Sequence, residues 1–477
     1  MSTIVDSGDR TRWIWRGALI FSAVFHLLHY IALPVLITVD GADYILLGRL
    51  AAALNFSEEY YFARPPLYPL LIEYSTRLLG RNAMAVQVPN LLLGFGAIWL
   101  AGTALKALNF PRAAAGLVVL LTLYPTFAAY EHCVLTETGS VFFLFLTIWL
   151  LVRSARNEHD WRWSIVLGVV LGISYHHRPT LLYLAPVWAV LRMFQLRGVI
   201  DRGHILPWKQ ALSHAAAIMA LGIVIALPWQ IVMSRSEERH AGGELLLIFL
   251  LKQAVLPPDD PLLADIREDY EQGIADATVG GRLDAAGIHQ YTLRRFQEKV
   301  TIPKRPEGSR IFIDAVATYP GRYIDAVWRT ALLLCGAATA DDENGLFTSL
   351  VISEVNHGGK VLAPRHPLYV QLQHDFAQRT NDTHISRTLE RLRGFYAVLL
   401  MIAVLMNIIV VIAAVFVPRL RPAWLFALPA LAFLVMHAIV LFATTRYAFP
   451  VYPLLLANLI LIPALLVNRE QAQPTSA

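Results

Sequence analysis

Runs of about 20 apolar residues, broken by short loops rich in arginine and lysine, are the feature that most constrains this chain. A helix of about that length crosses the hydrocarbon of a bilayer. Candidate spans fall at 17–37, 83–106, 113–130, 138–152, 163–177, 180–195, 211–231, 394–417, 422–443 and 447–467. Composition agrees. Of 477 residues, 56% are hydrophobic and 16% charged, with a mean hydropathy of +0.51. Soluble domains carry about 25% charged residues, so this chain lacks the polar side chains to cover a globule of its size. The expected fold class is therefore an all-α polytopic membrane protein of about ten transmembrane helices. The net charge of +5 comes with no basic block interleaved with aromatics, which excludes a nucleic-acid binder. Two cysteines, Cys133 and Cys335, are too few for a disulfide framework; both fall on or near the expected outer face, and they read as two unrelated buried thiols, with one bridge as the alternative. Arg10, Arg12 and Arg16 precede a first run too long for a signal-peptide core, so that run is expected to stay as a helix.

Lysine and arginine in short loops favour the cytoplasm. Lys106, Arg112, Arg153, Arg156, Arg162, Arg192, Arg197, Arg202, Lys209, Arg419, Arg421 and Arg469 collect on one side with the N-terminal arginines. Ten spans then put both termini inside and two segments outside. Residues 38–82 read as two short amphipathic juxtamembrane helices around Pro65-Pro66, with Asp40, Asp43, Tyr44 and Leu47 at helical spacing and both aspartates on one face. Residues 232–393, of mixed charge, are expected to form an outer-face domain in which Tyr323–Ala338 is too short to span and reads as an interfacial helix. The organisation is thus 1–231, an N-terminal transmembrane module; 232–393, the outer domain; 394–469, the C-terminal transmembrane helices; and 470–477, a disordered tail.

Arg64, Arg178 and Arg446 break the charge rule, each lying on the outer side at the mouth of a helix. Arginine there is costly unless it is paired or functional. Three guanidinium groups at one depth suit an anion, and a lipid phosphate is the natural one; interfacial anchoring or pairing with carboxylates of the outer domain is the alternative. Asp40, Asp43, Glu131 and Glu137 stand at the same level, with Asp40 singled out because it begins a helix directly off a span. His132, His176 and His177 lie near these acids without metal-ligand spacing, and His26 and His29 fall inside the first span as candidate buried polar contacts.

Four stretches together resemble the GT-C glycosyltransferases that use polyprenyl-phosphate sugars, the superfamily of the protein O-mannosyltransferases and lipid A aminoarabinose transferases. They are Asp40-Gly-Ala-Asp-Tyr44 with Phe62-Ala-Arg-Pro-Pro-Leu-Tyr-Pro69, Leu135-Thr-Glu137, Gly172 to Pro179 ending in His-His-Arg-Pro, and Thr445-Arg-Tyr-Ala-Phe-Pro-Val-Tyr-Pro453. The resemblance covers the first 200 residues and the last 35, and leaves 232–393 unmatched.

It implies transfer of a sugar from a polyprenyl-phosphate donor to a hydroxyl of a lipid, glycan or protein acceptor on the outer face, by inverting displacement. Asp40 takes the place of the catalytic base, with Asp43 and Glu137 as further acids of the site. Arg64 takes the place of the donor-phosphate ligand, joined by Arg178, Arg446 and Tyr447. A divalent metal ion is a possible cofactor, with Asp43, Glu137 and His132 as its candidate ligands. A glycosyltransferase family 39-like enzyme of a bacterial inner membrane, facing the periplasm, is the expected setting. The sequence departs from the family at Gly41 and Ala63, where many members carry acids. A ligase or polymerase of lipid-linked saccharides, or a secondary transporter or flippase, are the competing readings; the second predicts midplane charges and repeated halves.

Overall fold

The computed structural model describes residues 7–37, 39–56, 64–155, 160–200, 205–235, 241–284, 287–288, 292–293, 296–335, 367–378, 384–440 and 448–467. These divide into two compact units, Met1–Gln230 with Gly345–Leu431 and Pro450–Ala477, and Ile231–Asn344 with Ala432–Phe449.

The first unit is helical throughout. It opens with α1 (Ser7–Ala32), α2 (Val39–Ala52), α3 (Leu67–Leu79), α4 (Met84–Ala107), α5 (Pro111–Thr122), α6 (Pro125–Glu131), α7 (Glu137–Ser154), α8 (Trp161–His177), α9 (Ala185–Leu196) and α10 (Trp208–Ser234). Helix α4 lies at its centre, packed on α7, α5 and α3, while α1 packs on α5 and α2 on α3. Proline sets the breaks. Tyr124, ahead of Pro125, is extended at φ −73 and ψ 109, as a residue before proline prefers, and α5 and α6 meet at a 63° bend. Late in the unit, Asn458 Nδ2 donates to the Ala423 carbonyl (3.1 Å) and to Asn407 Oδ1 (2.6 Å), tying three helices by buried amides.

Among the described residues, eight helices are long and apolar enough to cross a membrane, or nine with the bent α5–α6 pair as one span. The chain is an integral membrane protein. Of the ten spans expected, 163–177 is the one that falls short: α8 has 17 residues, about 26 Å at the helical rise. Helices α2 and α3 occupy the stretch expected to hold two juxtamembrane helices, with Pro65-Pro66 directly ahead of α3. Helix α2 is not amphipathic, however. Ala42, Asp43, Tyr44, Ile45, Leu47 and Ala51 are all buried, because α3 and the later helix Pro367–Gln378 both pack on it.

The second unit has its own core. Leu247, Phe249, Leu250, Leu256, Leu263, Tyr270 and Phe296 are among its buried residues. Burial pushes the Tyr270 hydroxyl's pKa up, and it donates to the Leu256 carbonyl at 3.1 Å. A two-residue hairpin pairs Thr278 with Leu283 and Val279 with Arg282. Gly280 and Gly281 carry it at φ +59° and +80°, as a turn with two left-handed positions requires. The 323–338 stretch begins inside a 15-residue helix, Pro320–Leu334, with Ile324, Trp328 and Leu332 exposed along one stripe. It is not among the helices long and apolar enough to span. Cys133 and Cys335 do not form a disulfide with one another. The expected tail, 470–477, lies outside the described residues.

Candidate active site

Asp40 is the second residue of α2, and Arg64 stands two residues ahead of Pro66, just before α3. The Arg64 guanidinium forms an ion pair with the Asp40 carboxylate, and it also lies over the Tyr44 ring, 5.3 Å from its centroid. One helical turn separates Asp40 from Tyr44, so both reach the same cation from one face. Close packing of α2 on α3 brings the pieces together: a Cβ on Gly48 would stand 2.8 Å from the Pro69 carbonyl oxygen.

Arg178 owes its position to Pro179. It ends α8 in an extended conformation, φ −151 and ψ 115, again the preference of a residue before proline. Its Nη1 lies 3.2 Å from Glu137 Oε1 at the start of α7. The preceding His177 Nε2 meets the Thr136 carbonyl at 2.9 Å. Gly139 makes that approach possible, since a Cβ there would fall 2.2 Å from His177 Nε2.

An aromatic wall joins the two pairs. Tyr44 meets Tyr68 edge-on at 5.0 Å, and Tyr68 meets His177 edge-on at 5.5 Å. Tyr68 is fully buried and its pKa is raised by that burial, so it stays a hydrogen-bond donor, to Asn90 Oδ1 at 3.4 Å. Asn90 in turn donates to the Cys133 carbonyl at 2.8 Å.

The pairs differ in access. The side chains of Asp40 and Arg64 are 19% and 21% exposed, whereas those of Glu137 and Arg178 are 0% and 7% exposed. The first pair is open to a visiting group; the second is part of the wall. Both arginines thus find carboxylates within the first unit.

Asp43 is buried on α2. His132 meets His29 Nδ1 through Nε2 (2.9 Å) and the Gln87 amide through Nδ1 (3.0 Å). Among the described residues, Asp43 and Glu137 share no group of three metal-ligating side chains. Glu137 is engaged by Arg178. Arg446 and Tyr447 lie outside the described residues. Asn90 is an addition outside the quoted motifs, while Tyr68 and His177 lie within them without the wall role that packing gives them.

A family model described as dolichyl-phosphate-mannose-protein mannosyltransferase matches residues 63–231. The chain resembles the GT-C glycosyltransferases by family match as well as by motif. The matched stretch holds Arg64, Tyr68, Glu137, His177 and Arg178, while Asp40 lies ahead of it. Two solved structures of ArnT from Cupriavidus metallidurans, one bound to undecaprenyl phosphate and one in the apo state, are also similar. Each is 14% identical, with a TM-score of 0.39 over 95% of this chain and 79% and 78% of theirs respectively. No curated protein matches the chain.

Proposed function

We propose that this protein is a membrane glycosyltransferase that moves a sugar from a polyprenyl-phosphate donor to an acceptor hydroxyl on the outer face. The observation that carries the reading is the half-open Asp40–Arg64 pair, a base and a phosphate ligand in contact at the start of two helices.

An acceptor hydroxyl is a weak nucleophile, so a carboxylate must take its proton as its oxygen attacks the anomeric carbon. Asp40 does this. The bond from that carbon to the phosphate oxygen breaks, and its electron pair leaves with the polyprenyl phosphate. Arg64 binds the phosphate and stabilises the charge that builds on it. Attack from the face opposite the phosphate inverts the anomeric configuration. Donor binding also draws Arg64 off Asp40, so that the carboxylate becomes an effective base only when a phosphate is present. Glu137 and Arg178, too buried to meet substrate, position the wall of Tyr68 and His177 beside the reacting pair; Arg446 and Tyr447 complete the phosphate site. The lipid tail requires a groove open to the bilayer, which is why such an enzyme is embedded. A periplasmic site in a bacterial inner membrane fits a donor loaded inside and flipped before use.

Purified protein incubated with a radiolabelled polyprenyl-phosphate sugar and membrane lipids tests this. Label should leave the donor and appear on an acceptor as polyprenyl phosphate accumulates; a donor that stays intact across lipid, glycan and protein acceptors would refute the reading.

A further inference from the structure

A second polar cluster lies between α1, α4 and α6. His26 and His29 sit three residues apart on α1, on one face, and Glu131 ends α6 between them. His26 Nε2 is 3.1 Å from Glu131 Oε1, and His29 Nε2 is 3.2 Å from Glu131 Oε2. The ligand atoms of all three lie within 4.8 Å of one another. The three residues are 6%, 1% and 0% exposed.

Four observations make this more than an ion pair. First, Oε2 of Glu131 is buried and makes no hydrogen bond, although His29 Nε2 is only 3.2 Å away. Each Nε2 thus faces one oxygen of the same carboxylate. Second, donors about 2.1 Å from a tetrahedral zinc lie about 3.4 Å from one another, near the 3.1 and 3.2 Å separations seen. Third, each histidine is held from behind. His26 Nδ1 meets the Ser22 carbonyl at 2.7 Å and His29 Nδ1 meets His132 Nε2 at 2.9 Å. Metal-bound histidines are oriented by such contacts on the far nitrogen. Fourth, the space is made for the carboxylate: a Cβ on Gly94 would fall 1.6 Å from Glu131 Oε1.

We propose that His26, His29 and Glu131 bind a zinc ion, with the two imidazole Nε2 atoms and both carboxylate oxygens as its four donors. In that form His29 Nδ1–H donates to His132 Nε2. The Gln87 amide then turns its oxygen to His132 Nδ1–H and gives up its bond to the Leu33 carbonyl (3.0 Å). The ion is structural. Immediately beyond it the chain from α6 bridges to the chain from α1: Leu36 N–H donates to the His132 carbonyl (2.9 Å) and Val134 N–H to the Leu36 carbonyl (3.2 Å). One of these strands leads to Asp40 and the other to Glu137, so zinc clasps the two roots of the candidate site. The inference stands on the cluster alone and does not depend on the proposed activity.

The test is the metal content of the full-length protein, purified without a polyhistidine tag and then given equimolar zinc. About one tightly held zinc per chain is expected, as a closed four-donor site implies, and the zinc absorption edge should fit two imidazoles and a carboxylate. His26→Ala/His29→Ala should lose it, as should the milder Glu131→Gln should the double variant fail to fold. A folded wild-type chain that binds no zinc, or zinc that persists in either variant, would overturn the proposal.

Discussion

Arg178 meets Glu137 where neither side chain reaches water, and that burial decides what each does. Removing one member of a buried pair strands the other charge, which costs about 3–5 kcal/mol, whereas replacing both by apolar groups is often close to neutral. Arg178→Ala should therefore lower the thermal unfolding midpoint sharply in detergent, and Glu137→Gln/Arg178→Met should recover most of the loss. A double variant no better than the single would show that the pair is not coupled. Gly139→Ala drives a methyl into His177; overpacking of this kind costs about 1–3 kcal/mol, visible in the same unfolding measurement. At this scale the sequence was half legible. Arg64, Arg178 and Arg446 stood out by departing from the expected loop-charge pattern, as did Asp40 by position. Their pairing did not, because Arg64 with Asp40 and Arg178 with Glu137 are contacts between separate helices, which no local spacing encodes. His26 and His29 were visible as polar residues in an apolar run, while the carboxylate between them came from a distant turn.

Proline is what turns helices into a site. It ends α8 at Arg178 and separates α5 from α6, and Pro65-Pro66 precedes α3. Pro179→Ala should let α8 run on and carry the guanidinium away from Glu137. The unfolding losses of Pro179→Ala and Arg178→Ala should then be non-additive, as for any two changes that break one contact; additive losses would mean that Arg178 keeps its place without the proline. The breaks at Pro65-Pro66 and at Pro179 were readable from the sequence because the restriction on the residue before proline is local; the one at Pro125 was not, since 113–130 reads as a single apolar run. The character of α2 was not. Its aspartates and tyrosine follow helical spacing, yet a second helix from residues 367–378 covers what the sequence suggested was an open face.

Hydropathy and loop charge carry the expectation at this scale: apolar helices with the arginine-rich loops predicted on one side of the membrane. The number of spans is less well marked, because α8 stops at 17 residues where His176, His177 and Arg178 bring polarity to its end. Sidedness is directly testable. With Cys133 and Cys335 replaced, a single cysteine at exposed Asn55 should react with an impermeant maleimide added outside intact cells. One at exposed Arg162 should react only after the membrane is opened. The reverse pattern would invert the topology and move Asp40 inside. The account as a whole rests on Asp40 acting as the base beside a phosphate held by Arg64. Its most direct test is single-turnover transfer from a polyprenyl-phosphate sugar by Asp40→Asn, with donor binding measured on the same sample. Transfer should fall by about 10²–10⁴-fold, the usual contribution of a general base, while the donor still binds; near-normal transfer by that variant would contradict the account.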